Sequence, residues 1–209
     1  MSGLFAETDH LVRIPMPDGE VYYLSDLELG SHRDAVLQQL IADVPWRQER
    51  ILVWGKVFSQ PRLIAWYGDR GSYYTYSGIT LAPLPWTDLL LEMRRRVETV
   101  TAAAFNSVLI NYYRDNRDSM GFHSDDEPEL GERPVIASLS LGEERTFVLK
   151  HRLNKLAKPV RLRLASGSLL LMSGETQRYW KHGIAKETRR SGPRVNLTFR
   201  RIASHALAR

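Results

Sequence analysis

The chain contains no cysteine. That excludes a disulfide framework and any thiolate-held metal, so a transition ion here must be bound by His, Asp or Glu. No stretch approaches the ~18 consecutive apolar residues of a membrane-spanning helix, so no membrane partner is expected. The opening residues, MSGLFAETDHLVR, lack the basic region and apolar run of a secretory leader, and a cytoplasmic location is the expectation. There is no internal repeat and no low-complexity tract. The sequence carries no sign of an obligate protein partner, and a monomer is expected.

What is present fits a soluble globular chain. Its 209 residues are 43% hydrophobic and 25% charged, enough for a single domain with a substantial core. The net charge of +5 and pI near 9.5 favour polyanionic partners through steering and counterion release.

Residues 1–50 read as a hairpin and helical extension. Two short apolar runs flank the turn Pro17-Asp18-Gly19. Ser31 to Ala42 has helical spacing, with Ser31 as cap and Ala35, Leu37, Leu40 and Ile41 as its apolar stripe. Thr87 to Thr99 gives a second helix whose buried face is Leu89, Leu90, Met93 and Val97. From residue 106 to 202 short β-rich runs follow one another: Val108–Arg114, Val135–Leu141, Thr146–His151, Val160–Leu164, Ser168–Met172, Gly183–Lys186 and Arg194–Ile202. Such spacing indicates a sandwich or barrel, with the two helices on the outer face of one sheet. The fold class is therefore mainly β (α+β).

The segment GFHSDDEPEL holds His123 and Asp125 two positions apart, which on a strand would put both on one face. His182 stands far downstream in WKHGI. Two imidazoles and a carboxylate form a facial triad that leaves coordination positions open, the arrangement that suits O2-activating Fe(II). His-x-Asp alone is equally compatible with an exposed turn beside an acidic loop.

The run RVNLTFR adds a second signal. Period-two alternation places Val195, Leu197 and Phe199 on one face, and Arg194, Asn196, Thr198 and Arg200 on the other. Two arginines on an inward polar face require anions, which protein carboxylates or a dicarboxylate cosubstrate would supply. In the strand from Val108, Asn111 and Tyr113 share one face while Ile110 and Tyr112 share the other.

Taken in order, NYYRDNRDSMGFHSDDE, SGSLLLM, WKHGI and RVNLTFR resemble the AlkB family of Fe(II)/2-oxoglutarate dioxygenases, from about Arg50 to Ile202. The resemblance implies a double-stranded β-helix (jelly roll) core over 106–202, preceded by a nucleotide-recognition lid and supporting helix over 51–105. It implies Fe(II) on His123, Asp125 and His182, with 2-oxoglutarate and O2 as cosubstrates. Arg194, helped by Tyr113, would bind the distal carboxylate of 2-oxoglutarate. Asn111 and Arg200 would support the metal-proximal end, with Thr198 on the same wall.

The resemblance extends to YGDRGSYYTYSG, similar to the family's substrate lid, where Tyr74, Tyr76 and Ser77 would surround the target base. Aromatic walls suit a flipped base. Asp126 and Glu127 would lie near the base, and carboxylates there are favourable for cationic N1-methyladenine and N3-methylcytosine. A solvated acidic turn is the other reading. The run VWGKVFSQPR resembles the segment that double-strand-acting members push into the base stack, with Trp54 as an apolar wedge or else a core residue. From Arg145 to Arg163 there are seven Lys or Arg and no acidic residue, fitting phosphate contacts or a solvated loop. The connection HRLNKLAKPVR is shorter than in double-strand-specific members, so single-stranded DNA or RNA fits as well.

The implied reaction is oxidative demethylation, releasing formaldehyde, succinate and CO2. Two alternatives stand beside it: an Fe(II)/2-oxoglutarate oxygenase acting on RNA or protein, and a non-catalytic nucleic-acid-binding module.

Overall fold

The structure is a computed structural model and describes residues 10–53, 56–72, 74–76 and 79–203. Its strands and helices run β1 (Val12–Ile14), β2 (Glu20–Leu24), α1 (Arg33–Asp43), β3 (Arg50–Val53), β4 (Lys56–Ser59), β5 (Leu63–Gly68), β6 (Tyr74–Tyr76), β7 (Ile79–Leu81) and α2 (Asp88–Thr101). The second half follows as β8 (Ser107–Tyr113), β9 (Met120–His123), β10 (Ile136–Gly142), β11 (Arg145–His151), β12 (Val160–Leu164), β13 (Leu169–Ser173), α3 (Thr176–Tyr179), β14 (Trp180–Ile184) and β15 (Arg194–Arg200).

Two antiparallel sheets make the jelly roll. The major sheet has the order β1-β2-β13-β10-β15-β8-β5, and the minor one the order β12-β11-β14-β9. Two small hairpins, β3-β4 and β6-β7, stand outside both. Among the described residues no helix is long and apolar enough to cross a membrane.

The major sheet is buried on both faces, and strand alternation divides its side chains between two cores. Outward-pointing Ile110, Leu139, Val195, Leu197 and Phe199 pack with Val36, Leu37 and Leu40 of α1 and with Leu90, Met93 and Val97 of α2. Phe199 has no exposed surface, and truncating it to alanine would cost about 3–5 kcal/mol. On the opposite face Leu109, Ile136, Leu170 and Met172 meet Phe147, Leu149, Leu162 and Trp180 of the minor sheet. A cavity opens within this inter-sheet layer, lined by residues of both sheets.

Both helices cover the outer face of the major sheet, as the sequence predicts. Thr87 caps α2, its hydroxyl accepting from the Leu90 amide at 3.3 Å. Helix α1 departs from expectation at its start. His32, not Ser31, is the capping residue, and no side chain caps it. Val36 rather than Ala35 lies inward, because the buried stripe of α1 follows Val36, Leu37 and Leu40. The turn at Pro17–Gly19 joins β1 to β2 as expected, but this hairpin is no appendage. β2 pairs with β13, and the Trp180 indole donates to the Pro17 carbonyl at 2.9 Å.

Candidate metal centre

Neighbouring strands bring the two histidines together. β14 pairs with β9 in the minor sheet, and His182 lies directly opposite His123. Their ring centroids are 4.4 Å apart. Directly after His182 the ladder is irregular. Gly183 sits there because a Cβ would approach the Met120 carbonyl oxygen to 2.9 Å, closer than real contacts allow. His182 lies mid-strand, not at the head of a strand beginning at Gly183.

Asp125 reaches the same point by another route than strand alternation. β9 ends at His123, so Asp125 belongs to the irregular segment beyond it. Its carboxylate stands 3.9 Å from His123 Nε2 and 3.9 Å from His182 Nε2. One ligand atom from each of the three residues lies within 4.8 Å of the others. These are donors that one ion can gather with small adjustments.

The surroundings prepare these donors. The Gly121 carbonyl lies 2.9 Å from His123 Nδ1, which assigns the proton to Nδ1 and turns Nε2 inward as a lone pair. Phe147 stacks on His182 with centroids 5.2 Å apart. Burial pushes the His182 imidazole down to about 3, with His123 adding to the effect and Asp125 opposing it. A neutral imidazole is the ligand form. Burial would raise Asp125, but Arg200, His182 and His123 outweigh it and hold the carboxyl down to about 2. Arg200 donates to Asp125 Oδ1 at 2.6 Å, while Oδ2 has no hydrogen-bond partner among the described residues. A buried carboxylate oxygen without a donor is a site for a cation, and the donor set fits Fe(II).

The cavity continues along β15 and β8 past Arg200, Thr198, Asn196, Asn111, Tyr113 and Arg194. Arg194 is 1% exposed and lies opposite Tyr113 in the ladder, its guanidinium 5.3 Å from that ring's centroid. Its Nη2 donates to Ser140 Oγ at 2.9 Å, but Nε and Nη1 have no hydrogen-bond partner among the described residues. Desolvation lowers this guanidinium to about 10. Two idle donors on a buried cation fit a carboxylate, so the residues present suit 2-oxoglutarate as well as iron. Asn196 donates to Ser138 Oγ and the Leu139 carbonyl, and Thr198 donates to Asn196 Oδ1, forming a fixed polar wall.

Two buried arginines escaped the sequence reading. Arg62 donates to Asn111 Oδ1 at 2.9 Å and fixes that amide. Arg145 stands 6.0 Å from the Tyr113 ring, donates to the carbonyls of Asp115, Asp118 and Ala185, and pairs with Glu187. It belongs to the basic stretch by sequence, yet it shares the inward face of its strand with Phe147 and Leu149. That period-two pattern was the available signal. Arg152 and Arg163 of the same stretch pair with Asp126 and Glu144.

Asp126 and Glu127 stand outside the cavity lining. Asp126 is held by Arg152 at 2.7 Å beside a surface depression lined by Arg133, Glu175 and Arg178. Glu127 precedes the short 3-10 turn Pro128–Leu130, and its backbone carbonyl accepts from the Leu130 amide at 2.9 Å. Tyr74 and Tyr76 occupy alternate positions of β6. Trp54 and Ser77 lie outside the described residues.

Comparison with known proteins agrees with this geometry. Residues 20–200 match the model of the 2OG-Fe(II) oxygenase superfamily. The chain is 45% identical over 177 residues to alpha-ketoglutarate-dependent dioxygenase alkB homolog 3 of Mus musculus, covering 81% of this chain and 61% of that protein. It is 44% identical over 178 residues to the Homo sapiens DNA oxidative demethylase ALKBH2, covering 81% and 68%. The chain thus spans about three fifths of the alkB homolog 3 relatives it matches. The solved structure of OsALKBH1 shares the fold, with a TM-score of 0.59 at 16% identity over 91% of this chain and 99% of that one. The His-Asp-His cluster, the buried arginine beyond it and these likenesses together make the chain a member of the 2OG-Fe(II) oxygenase superfamily, in its AlkB branch.

Proposed function

We propose that the chain is an Fe(II)/2-oxoglutarate-dependent dioxygenase that oxidatively demethylates N-alkylated bases in nucleic acid. One observation carries this reading: His123, Asp125 and His182 share a single cavity with buried Arg194, whose Nε and Nη1 have no hydrogen-bond partner among the described residues. The balanced reaction takes an N-methyl base, 2-oxoglutarate and O2 to the unmethylated base, formaldehyde, succinate and CO2. Fe(II), held by the three side chains, supplies O2 activation coupled to decarboxylation of the cosubstrate. Everything else is the work of the chain's own groups.

Arg194 fixes the distal carboxylate and so sets the direction in which 2-oxoglutarate lies, with Tyr113 beside it. Asn111, Thr198 and Arg200 line the path towards the ligands. Arg200 keeps Asp125 ionised and its Oδ1 engaged, which turns Oδ2 to the ion. The apolar lining from Leu109, Phe147, Met172 and Ile184 excludes water around the reacting carbon.

The substrate preference follows from the names of the relatives, among them a DNA oxidative demethylase, and from the aromatic content of the lid. N1-methyladenine and N3-methylcytosine in DNA are the proposed lesions, with Tyr74, Tyr76, Ser77, Asp126 and Glu127 contacting the flipped base and Trp54 filling the gap in the stack. RNA is a second substrate of the same chemistry. The reading includes a monomeric, cytoplasmic enzyme, which light scattering and imaging of the tagged chain check.

The deciding assay loads purified protein anaerobically with Fe(II), then adds 2-oxoglutarate, O2 and oligonucleotides bearing N1-methyladenine. Formaldehyde together with restored adenine is expected, and Asp125→Ala abolishes both. Succinate without base repair would indicate another substrate. Binding with no turnover, alike in wild type and Asp125→Ala, would indicate a non-catalytic module. Trp54→Ala should lower activity on duplex more than on single strands, and equal loss on both sinks the wedge role.

A further inference from the structure

Asp125 lies past the end of β9, where no sheet ladder fixes its backbone. Two side-chain bonds fasten the segment instead. Ser124 Oγ donates to the Trp180 carbonyl at 3.0 Å, and the Asp125 amide donates to Gln177 Oε1 at 2.9 Å. Both anchors belong to the stretch that leads into His182. The two halves of the triad are therefore tied through α3 and the first residue of β14.

Gln177 is well placed to act as this tie. It is 2% exposed, and its Nε2 faces Met172 Sδ at 3.6 Å, a residue of the cavity lining. The amide has one useful orientation, because the reverse would set its NH2 against the Asp125 N–H. The turn that carries it is pinned at both ends. Thr176 Oγ1 donates to the Ser173 carbonyl at 2.6 Å and accepts from the Glu20 amide at 2.8 Å. On the other side the Arg152 amide donates to the Tyr179 carbonyl at 2.7 Å. With its backbone held, Gln177 presents a fixed acceptor to a ligand whose own backbone lacks one.

We propose that Gln177 is a positioning residue for the metal site: its side-chain carbonyl fixes the Asp125 backbone, so that Oδ2 meets the ion that His123 and His182 hold. This rests on the metal-binding reading of the triad. Bonds of this outer kind set the affinity and geometry of a site without touching the ion.

Gln177→Met keeps the side chain's volume and removes the carbonyl acceptor, whereas Gln177→Glu keeps an acceptor at the same reach. Co(II) titration, followed by its visible absorption, reads both affinity and ligand geometry without turnover. Gln177→Met should bind Co(II) about 10–100-fold more weakly than wild type, with an altered absorption envelope. Gln177→Glu should bind at least as tightly as wild type, with the wild-type envelope. Wild-type affinity and spectrum in Gln177→Met, or loss in Gln177→Glu equal to that in Gln177→Met, overturns the proposal. Should Gln177→Met fail to fold, as judged by circular dichroism, the Gln177→Glu spectrum decides it: a changed envelope rejects the positioning role and an unchanged one supports it. Failure of the wild type to bind Co(II) would instead overturn the metal reading, a distinct result.

Discussion

Arg200 Nη2 donates to Asp125 Oδ1 at 2.6 Å, and both side chains are almost sealed from solvent. The pair joins β15 of the major sheet to the segment beyond β9 of the minor sheet. It spans the two layers at the point where the ligands converge. Removing one partner of a buried pair leaves an uncompensated charge. Arg200→Met should therefore destabilise the metal-free protein by about 3–5 kcal/mol. Added Co(II) should recover part of the loss, because the ion replaces the missing cation beside Asp125. Urea denaturation with and without metal measures both effects, and an unchanged midpoint would contradict them.

Arg194 makes the opposite case. It is buried, and its Nε and Nη1 have no hydrogen-bond partner among the described residues, so the protein without cosubstrate carries an incompletely satisfied cation. Arg194→Met should leave folding stability unchanged or raise it. Binding of 2-oxoglutarate should weaken by about 3 kcal/mol, roughly 100-fold, as charge-assisted bonds to the carboxylate are lost. Calorimetric titration into the metal-loaded protein tests this. Retained affinity would place the distal carboxylate elsewhere.

Acid should act on the metal-free protein through His182 before it acts through Asp125. His182 takes up its proton near 3 in the folded chain against an ordinary 6.5. Across that window the unfolded chain binds more protons, so stability falls as pH falls. Asp125, held at about 2 against 3.8, contributes stability that is complete above its ordinary value and lost as pH falls towards 2. Urea midpoints of chelator-treated protein at about pH 7.5 and about pH 5 isolate the histidine. The wild type should lose stability between them, and His182→Asn should lose less. Equal losses would remove His182 as the cause.

Gly183 has a backbone neighbour where a side chain would go. A methyl group at this position meets the Met120 carbonyl at 2.9 Å, and a strand carbonyl cannot swing aside. Gly183→Ala should push β9 from β14 and separate His123 from His182. Overpacking of this kind costs about 1–3 kcal/mol, and the Co(II) affinity should fall with it. Thermal melting and Co(II) titration of the variant check the two consequences. Wild-type values in both would mean that the strands can adjust.

Period-two alternation in RVNLTFR depends only on covalent geometry. It was therefore legible in the sequence that Val195, Leu197 and Phe199 enter one core while Arg194, Asn196, Thr198 and Arg200 face another. The same holds for Asn111 and Tyr113 against Ile110 and Tyr112, and for the buried stripe of α2. Local rules failed where a residue's role is set by a distant partner. Asp125 lies beyond its strand and owes its place to Gln177 and Arg200, respectively 52 and 75 residues away. Arg145 looked like one of seven basic side chains until the fold closed Asp115, Asp118 and Ala185 around it. The sequence by itself determined the ligand types and which face of each strand is polar, because those depend on side-chain chemistry and a two-residue repeat. Only the tertiary structure decided which polar groups meet, since cross-strand register and buried charge pairing are long-range and no local pattern encodes them.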